Sequence, residues 1–95
     1  MAQPDLGILS QKLETGDIKD RKLALAALRD VPPEQAVPLI KKVLADKNEQ
    51  VRSMAVFALG LKPTEECYGL LVGIMEGDTD YGVRADAAGA LGYLE

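Results

Sequence analysis

Ten residues of this chain are written almost twice. Residues 51–60 read VRSMAVFALG and residues 83–92 read VRADAAGALG, both opening on Val-Arg and closing on Ala-Leu-Gly. The Ala-Leu pairs Ala27-Leu28, Ala58-Leu59 and Ala90-Leu91 stand 31 and 32 residues apart. A fixed period of this size marks an array in which each period is one supersecondary unit that cannot bury its apolar face alone. Stacking the units side by side does that, and stability becomes roughly a sum over units and interfaces.

The register extends through each period. Arg21, Arg52 and Arg84 align, as do Ala24, Ala55 and Ala87. Four residues before each arginine stands a short polar side chain: Asp17, Asn48 and Asp80. Upstream, Ile8-Leu9 aligns with Leu39-Ile40 and Leu70-Leu71, and Leu13 with Leu44 and Met75. Apolar residues at i, i+4 and i+5 lie on one helical stripe. Each period is therefore a helix A, a tight turn and a helix B. The spacing predicts helices over 4–14 and 18–29, then 33–45 and 49–61, then 64–76 and 81–93. The first copy diverges, with Asp20 for Val51 and Val83, and Arg29 for Gly60 and Gly92.

Local signals agree with these boundaries. Asp17, Asn48 and Asp80 fall where an N-cap side chain accepts a backbone N–H at the start of helix B. Asp46 and Glu49 suggest an added capping box. Pro32-Pro33 and Pro63 suit helix stops and first turns. Pro38 lies inside the apolar stretch AVPLIKKVL and marks either the true start of that helix or a kink in it. Hydrophobic residues make up 47% of the chain but aromatics only 4%. That balance favours an Ala/Leu/Val core between close helices and leaves too few aromatic and β-branched residues to write strands. The fold class is all-α: one domain over 1–95, with units at about 4–31, 32–62 and 63–95.

Several activities lack their chemistry here. There is no His, so the usual general base and the commonest metal ligand are missing. Nothing resembles a P-loop, a dinucleotide turn or a hydrolase elbow. The stretch EGDTD (76–80) lacks the spacing of a calcium loop. The single Cys67 aligns with Ala36 on the apolar stripe and reads as a core thiol, not a nucleophile. One cysteine, no signal peptide and no membrane-length apolar run point to a cytoplasmic protein. Net charge is −4, and residues 63–95 hold one basic and seven acidic side chains. This field opposes nucleic-acid binding and can orient a protein partner. No catalytic residue, metal site or cofactor is expected.

The lines D-x-N-x-x-V-R-x-x-A-x-x-A-L-G (46–60) and D-x-D-x-x-V-R-x-x-A-x-x-A-L-G (78–92) resemble HEAT repeats. They look most like the short bacterial variety called phycobilisome-lyase HEAT-like repeats. The resemblance implies a right-handed α-solenoid with A helices on the convex face and B helices on the concave face. It implies a non-enzymatic scaffold that binds another protein on that concave face. The alternative it implies is an accessory subunit of a phycobilin lyase or a phycobilisome turnover factor.

Two groups of residues follow. Arg21, Arg52 and Arg84, with Asp46 and Asp78, read as rungs between repeats. On a helical wheel with Ala55 at zero, Val51, Ala58 and Leu59 fall within about 60° and define the buried side. Met54 and Val56 point towards neighbouring repeats. Phe57 lies about 160° away, facing outward beside Ser53. Its counterparts, Ala26 and Gly89, leave it little surrounding bulk. Phe57, with Lys19, Lys22, Ser53 and Tyr93, is the expected partner-binding set. Ser53 and Phe57 are the two residues of 51–60 without an expected structural duty. Asp86, in register with Leu23 and Met54, is expected to cap the C-terminal end if that flank faces outward, or to meet a partner in a fourth repeat if the array is longer. The ending at Glu95, with no capping helix, reads as a fragment of a longer array or as an end open to self-association.

Overall fold

The computed structural model describes residues 5–94. Six α-helices follow one another: α1 (Leu6–Thr15), α2 (Ile18–Ala27), α3 (Pro33–Ile40), α4 (Glu49–Gly60), α5 (Glu65–Gly77) and α6 (Tyr81–Leu94). There is no strand among the described residues. The helices form three pairs, α1–α2, α3–α4 and α5–α6, stacked as an α-solenoid of 33 × 26 × 16 Å. The second helices of the pairs lie side by side, with α4 packed between α2 and α6.

Two helices end differently from their sequence expectation. The helix expected over 18–29 is α-helical to Ala27 and tightens into a 3₁₀ turn at Leu28–Asp30. The helix expected over 33–45 is α-helical to Ile40 and tightens at Lys41–Val43. Such tightening is a common way to satisfy terminal carbonyls. Pro38 does not start that helix; α3 begins at Pro33 and runs through it. Pro38 lies on the exposed side. The carbonyl of Glu34, which loses its N–H donor there, is therefore free to turn towards water.

The starts of the helices are held by side chains. Asp17 Oδ1 accepts from Asp20 N at 2.8 Å, and Asp80 Oδ1 from Val83 N at 3.1 Å. Asn48 Oδ1 accepts from Gln50 N and Val51 N at 2.8 and 3.1 Å. Asp5 and Thr64 serve the first helices of their pairs in the same way. The capping box expected from Asp46 and Glu49 does not form. Asp46 Oδ1 instead accepts from Asn48 N at 2.9 Å, bracing the cap residue itself.

The core runs along the interior of the stack. Leu25, Leu28, Ile40, Val43, Val51, Val56, Leu59, Leu71 and Val83 are its largest sealed aliphatic side chains, and Cys67 is buried among the same cluster. Burying each aliphatic residue contributes about 1.5–3 kcal/mol. Ala24, Ala55 and Ala87 are buried on the same side of each second helix, where a small side chain admits a close neighbour. Gly60 takes this furthest: a Cβ placed on it would stand 2.9 Å from the Ala90 Cβ. Only glycine lets α4 approach α6 this closely without displacement.

Candidate functional site

Polar rungs tie the pairs together and fix the rotation of α2, α4 and α6. Arg21 Nη1 donates to Asp46 Oδ2 at 2.6 Å. Arg52 donates from Nε and Nη2 to the two oxygens of Asp78, at 3.0 and 3.2 Å. Its Nη1 also reaches back to the Asp46 carbonyl at 2.6 Å. Both carboxylates are largely buried, and the fork on Asp78 is the bidentate geometry that suits a guanidinium. Arg84 donates to the Asp78 carbonyl at 2.6 Å.

A second row of rungs crosses between the second helices. Lys22 Nζ donates to Gln50 Oε1 at 2.6 Å, joining α2 to α4. The Ser53 hydroxyl donates to Asp86, joining α4 to α6. This contact corrects two expectations. Asp86 does not cap the outer end of the stack; its flank turns back towards the preceding pair. Ser53, expected to have no structural duty, is its hydrogen-bond donor.

With these rungs in place, α2, α4 and α6 enclose an apolar groove of about 580 Å³ on their shared face. Phe57 stands in its middle at 59% exposure. Ala26 on α2 and Gly89 on α6, its counterparts in register, line the groove beside it and leave the ring open above them. Met54 and Ala58 join Phe57 from α4. Leu61 and Tyr93 add apolar bulk, at 52% and 87% exposure. Arg29 contributes a cation and Asp86 a carboxylate to the lining.

The five residues expected to bind a partner therefore separate. Phe57 and Tyr93 line the groove together. Lys22 and Ser53 are engaged in rungs between helices. Lys19 is exposed in the first turn of α2, outside the lining. Leu61 was not anticipated, although it closes the helix expected over 49–61 and stands in register with Tyr93. The register does carry a signal for Ala26 and Gly89, a small residue on each side of the one phenylalanine.

One further residue has no counterpart in the sequence reading. Lys62 is only 3% exposed. Its ammonium donates to the carbonyls of Val31 and Arg29, at 2.7 and 3.2 Å. It thereby clasps the end of the first pair from the end of the second. Burial pushes its pKa below the usual lysine value, while the nearby Cys67 and Asp30 act in the opposite direction.

Among the described residues, no three His, Cys, Asp or Glu side chains stand together so as to hold a metal ion. No described helix is long and apolar enough to cross a membrane. The arrangement offers an apolar, grooved surface. A family model described as HEAT repeats matches residues 7–92. No curated protein and no solved structure matches the chain.

Proposed function

This chain belongs to the HEAT-repeat family, and from that premise we propose that it is a non-enzymatic scaffold that takes up a segment of another protein in the groove across α2, α4 and α6. HEAT repeats generally mediate protein–protein interaction. The observation that carries the choice of face is Phe57. It is the sole phenylalanine, half exposed, between an alanine and a glycine in an apolar groove. An aromatic ring standing clear of its neighbours can enter a partner's pocket at low entropic cost, as binding hot spots do. The acidic last third and the neutral or basic first two-thirds would set the partner's orientation.

Phe57→Ala tests this. Cross-linked capture of a protein from the native lysate should fall at least about tenfold, a loss of about 1.4 kcal/mol in binding. The melting temperature should stay within about 2 °C, because an exposed ring contributes little to folding. Capture that survives the substitution, with Tyr93→Ala equally silent, places the binding surface elsewhere. A large fall in melting temperature makes Phe57 a core residue.

The narrower reading, an accessory subunit of a phycobilin lyase or a phycobilisome turnover factor, rests on the resemblance alone. The one cysteine, Cys67, is sealed in the core and lies outside the groove. Bilin transfer to a phycobiliprotein in a reconstituted mixture would establish that role.

A further inference from the structure

We propose, on the reading that the groove across α2, α4 and α6 is the binding face, that its occupant is an acidic amphipathic helix. The helix lays its apolar stripe on Phe57 and its carboxylates along α2, beside Lys19, Lys22 and Arg29.

The cations form a row by position. Lys19, Lys22, Ala26 and Arg29 follow one another at intervals of three, four and three residues, within about 80° of one another on the helix. Ala26 and Arg29 line the groove. Lys22 and Lys19 continue the row, which runs along about 15 Å of helix axis. In the same register α4 offers Gln50, Ser53, Phe57 and Gly60, and α6 offers Gly82, Ala85, Gly89 and Gly92. Neither set holds a carboxylate. Gln50 meets Lys22 with a neutral amide oxygen. Asp86, the one carboxylate among the described lining residues, accepts from Ser53, and Asp30 lies outside the lining. Among the described residues, no ion pair includes Lys19, Lys22 or Arg29.

The opposite treatment is found beside the first helices. Lys41 and Lys42, in the turn after α3, reach Glu66 of the third pair and Glu14 of the first. There the neighbouring pairs supply the carboxylates. The α2 row receives none from its neighbour, and its charge is complementary to an acidic ligand.

The walls of the groove select a helix. In α2, α4 and α6 the backbone N–H and C=O groups are spent within each helix. An extended segment laid between them finds no backbone partners, whereas a helix arrives with its own bonds made. Ala26 and Ala85 are small, and a Cβ on Gly89 would meet nothing within 4 Å. Side chains of a docked helix can therefore settle on both sides of Phe57. Phe57 belongs to the middle pair, with α2 on one side of its helix and α6 on the other. A further pair stacked on either end would lengthen this face and leave Phe57 open.

A displayed library of helices of about 18 residues, or five turns, tests this. Leu is fixed at i, i+3, i+4 and i+7, and the positions along one edge vary among Glu, Gln and Lys. Selection on the unmodified protein should enrich Glu along that edge. In fluorescence anisotropy, the selected peptide should bind at least about tenfold more weakly to Lys19→Gln/Lys22→Gln/Arg29→Gln, and likewise to Phe57→Ala. Lys19→Glu/Arg29→Glu, which keeps the bond from Lys22 to Gln50, should enrich Lys instead. This double variant serves alone if circular dichroism shows the triple variant unfolded. Peptides that need Phe57 but show no preference for Glu, or ignore the charge variants, overturn the acidic helix and leave the groove as the binding face. Peptides indifferent to Phe57→Ala, or no binder at hundreds of micromolar, overturn both.

Discussion

The two interfaces of the stack are built from the same register and differ in tightness. Between α4 and α6, Gly60 faces Ala90 at a distance that excludes any side chain, Arg52 grips both oxygens of Asp78, and Ser53 bonds to Asp86. Between α2 and α4, Arg29 stands in the register of Gly60. There Arg21 makes a single bond to Asp46 and leaves its buried Nε without a partner. The looser interface has a separate fastening, the buried ammonium of Lys62 on the carbonyls of Arg29 and Val31. A glycine in the repeat allows close helix approach and complete rungs; where the repeat diverges, a residue from outside the pattern supplies the hold. Arg29 and Ala26 of the first pair also line the groove beside Phe57.

The largest effect should come from the rungs. Arg52→Ala strands the buried Asp78 carboxylate and should cost about 3–5 kcal/mol in chemical denaturation. Arg21→Ala removes one bond from a more exposed arginine and should cost less than half as much. Equal losses would show that the two interfaces are equally dependent on their arginines.

Gly60→Val should destabilise by about 1–3 kcal/mol, because α6 must move away from the added methyls. Gly92→Ala, in the same register with open space, should instead stabilise by up to about 1 kcal/mol through helix propensity. A neutral Gly60→Val would mean that α4 and α6 tolerate the spacing found between α2 and α4.

Lys62→Met leaves two carbonyls without their donor and should cost about 1–3 kcal/mol near neutral pH. The pH dependence sharpens this prediction. The folded pKa of Lys62 is lowered, so the unfolded chain binds its proton more tightly and burial of the charge opposes folding below that folded value. The opposition is relieved as pH rises from the lowered value towards the ordinary 10.5. Denaturation at stepped pH should therefore show the stability difference between the natural chain and Lys62→Met growing through that window. A difference that stays flat would place the ammonium in water, and one that shrinks would mean that the folded protein holds the charged form more tightly than water does.

The repeat made much of this legible. Asp17, Asn48 and Asp80 were identifiable because a cap acts over three residues, within reach of sequence spacing. Phe57 was identifiable as outward-facing because a helical wheel separates it from Ala55 and Leu59. Lys62 was not, because its partners lie 31 and 33 residues earlier and no pattern marks a lysine that turns inward. Asp86 was placed on the correct kind of flank but not on the correct side of it. A wheel gives the angle of a side chain about its own helix and says nothing of which neighbour stands there. Asp46 suggests both a rung between repeats and a local capping box; Arg21 of the preceding pair makes the rung, whereas the N–H of Asn48 takes the oxygen that the box would have used.

Period, caps and the alternation of helices are written in the sequence, because hydrogen bonds over three or four residues and an apolar stripe on one face are local requirements. The tertiary structure decided what each repeated residue meets. Gly60 and Gly92 are the same residue in the same register, yet one lies against Ala90 and the other faces open space. Arg52 and Arg84 make the same backward bond, yet among the described residues only Arg52 of the two reaches a carboxylate of a following turn. Each unit carries only half of an interface, and its contacts are completed by whatever packs against it.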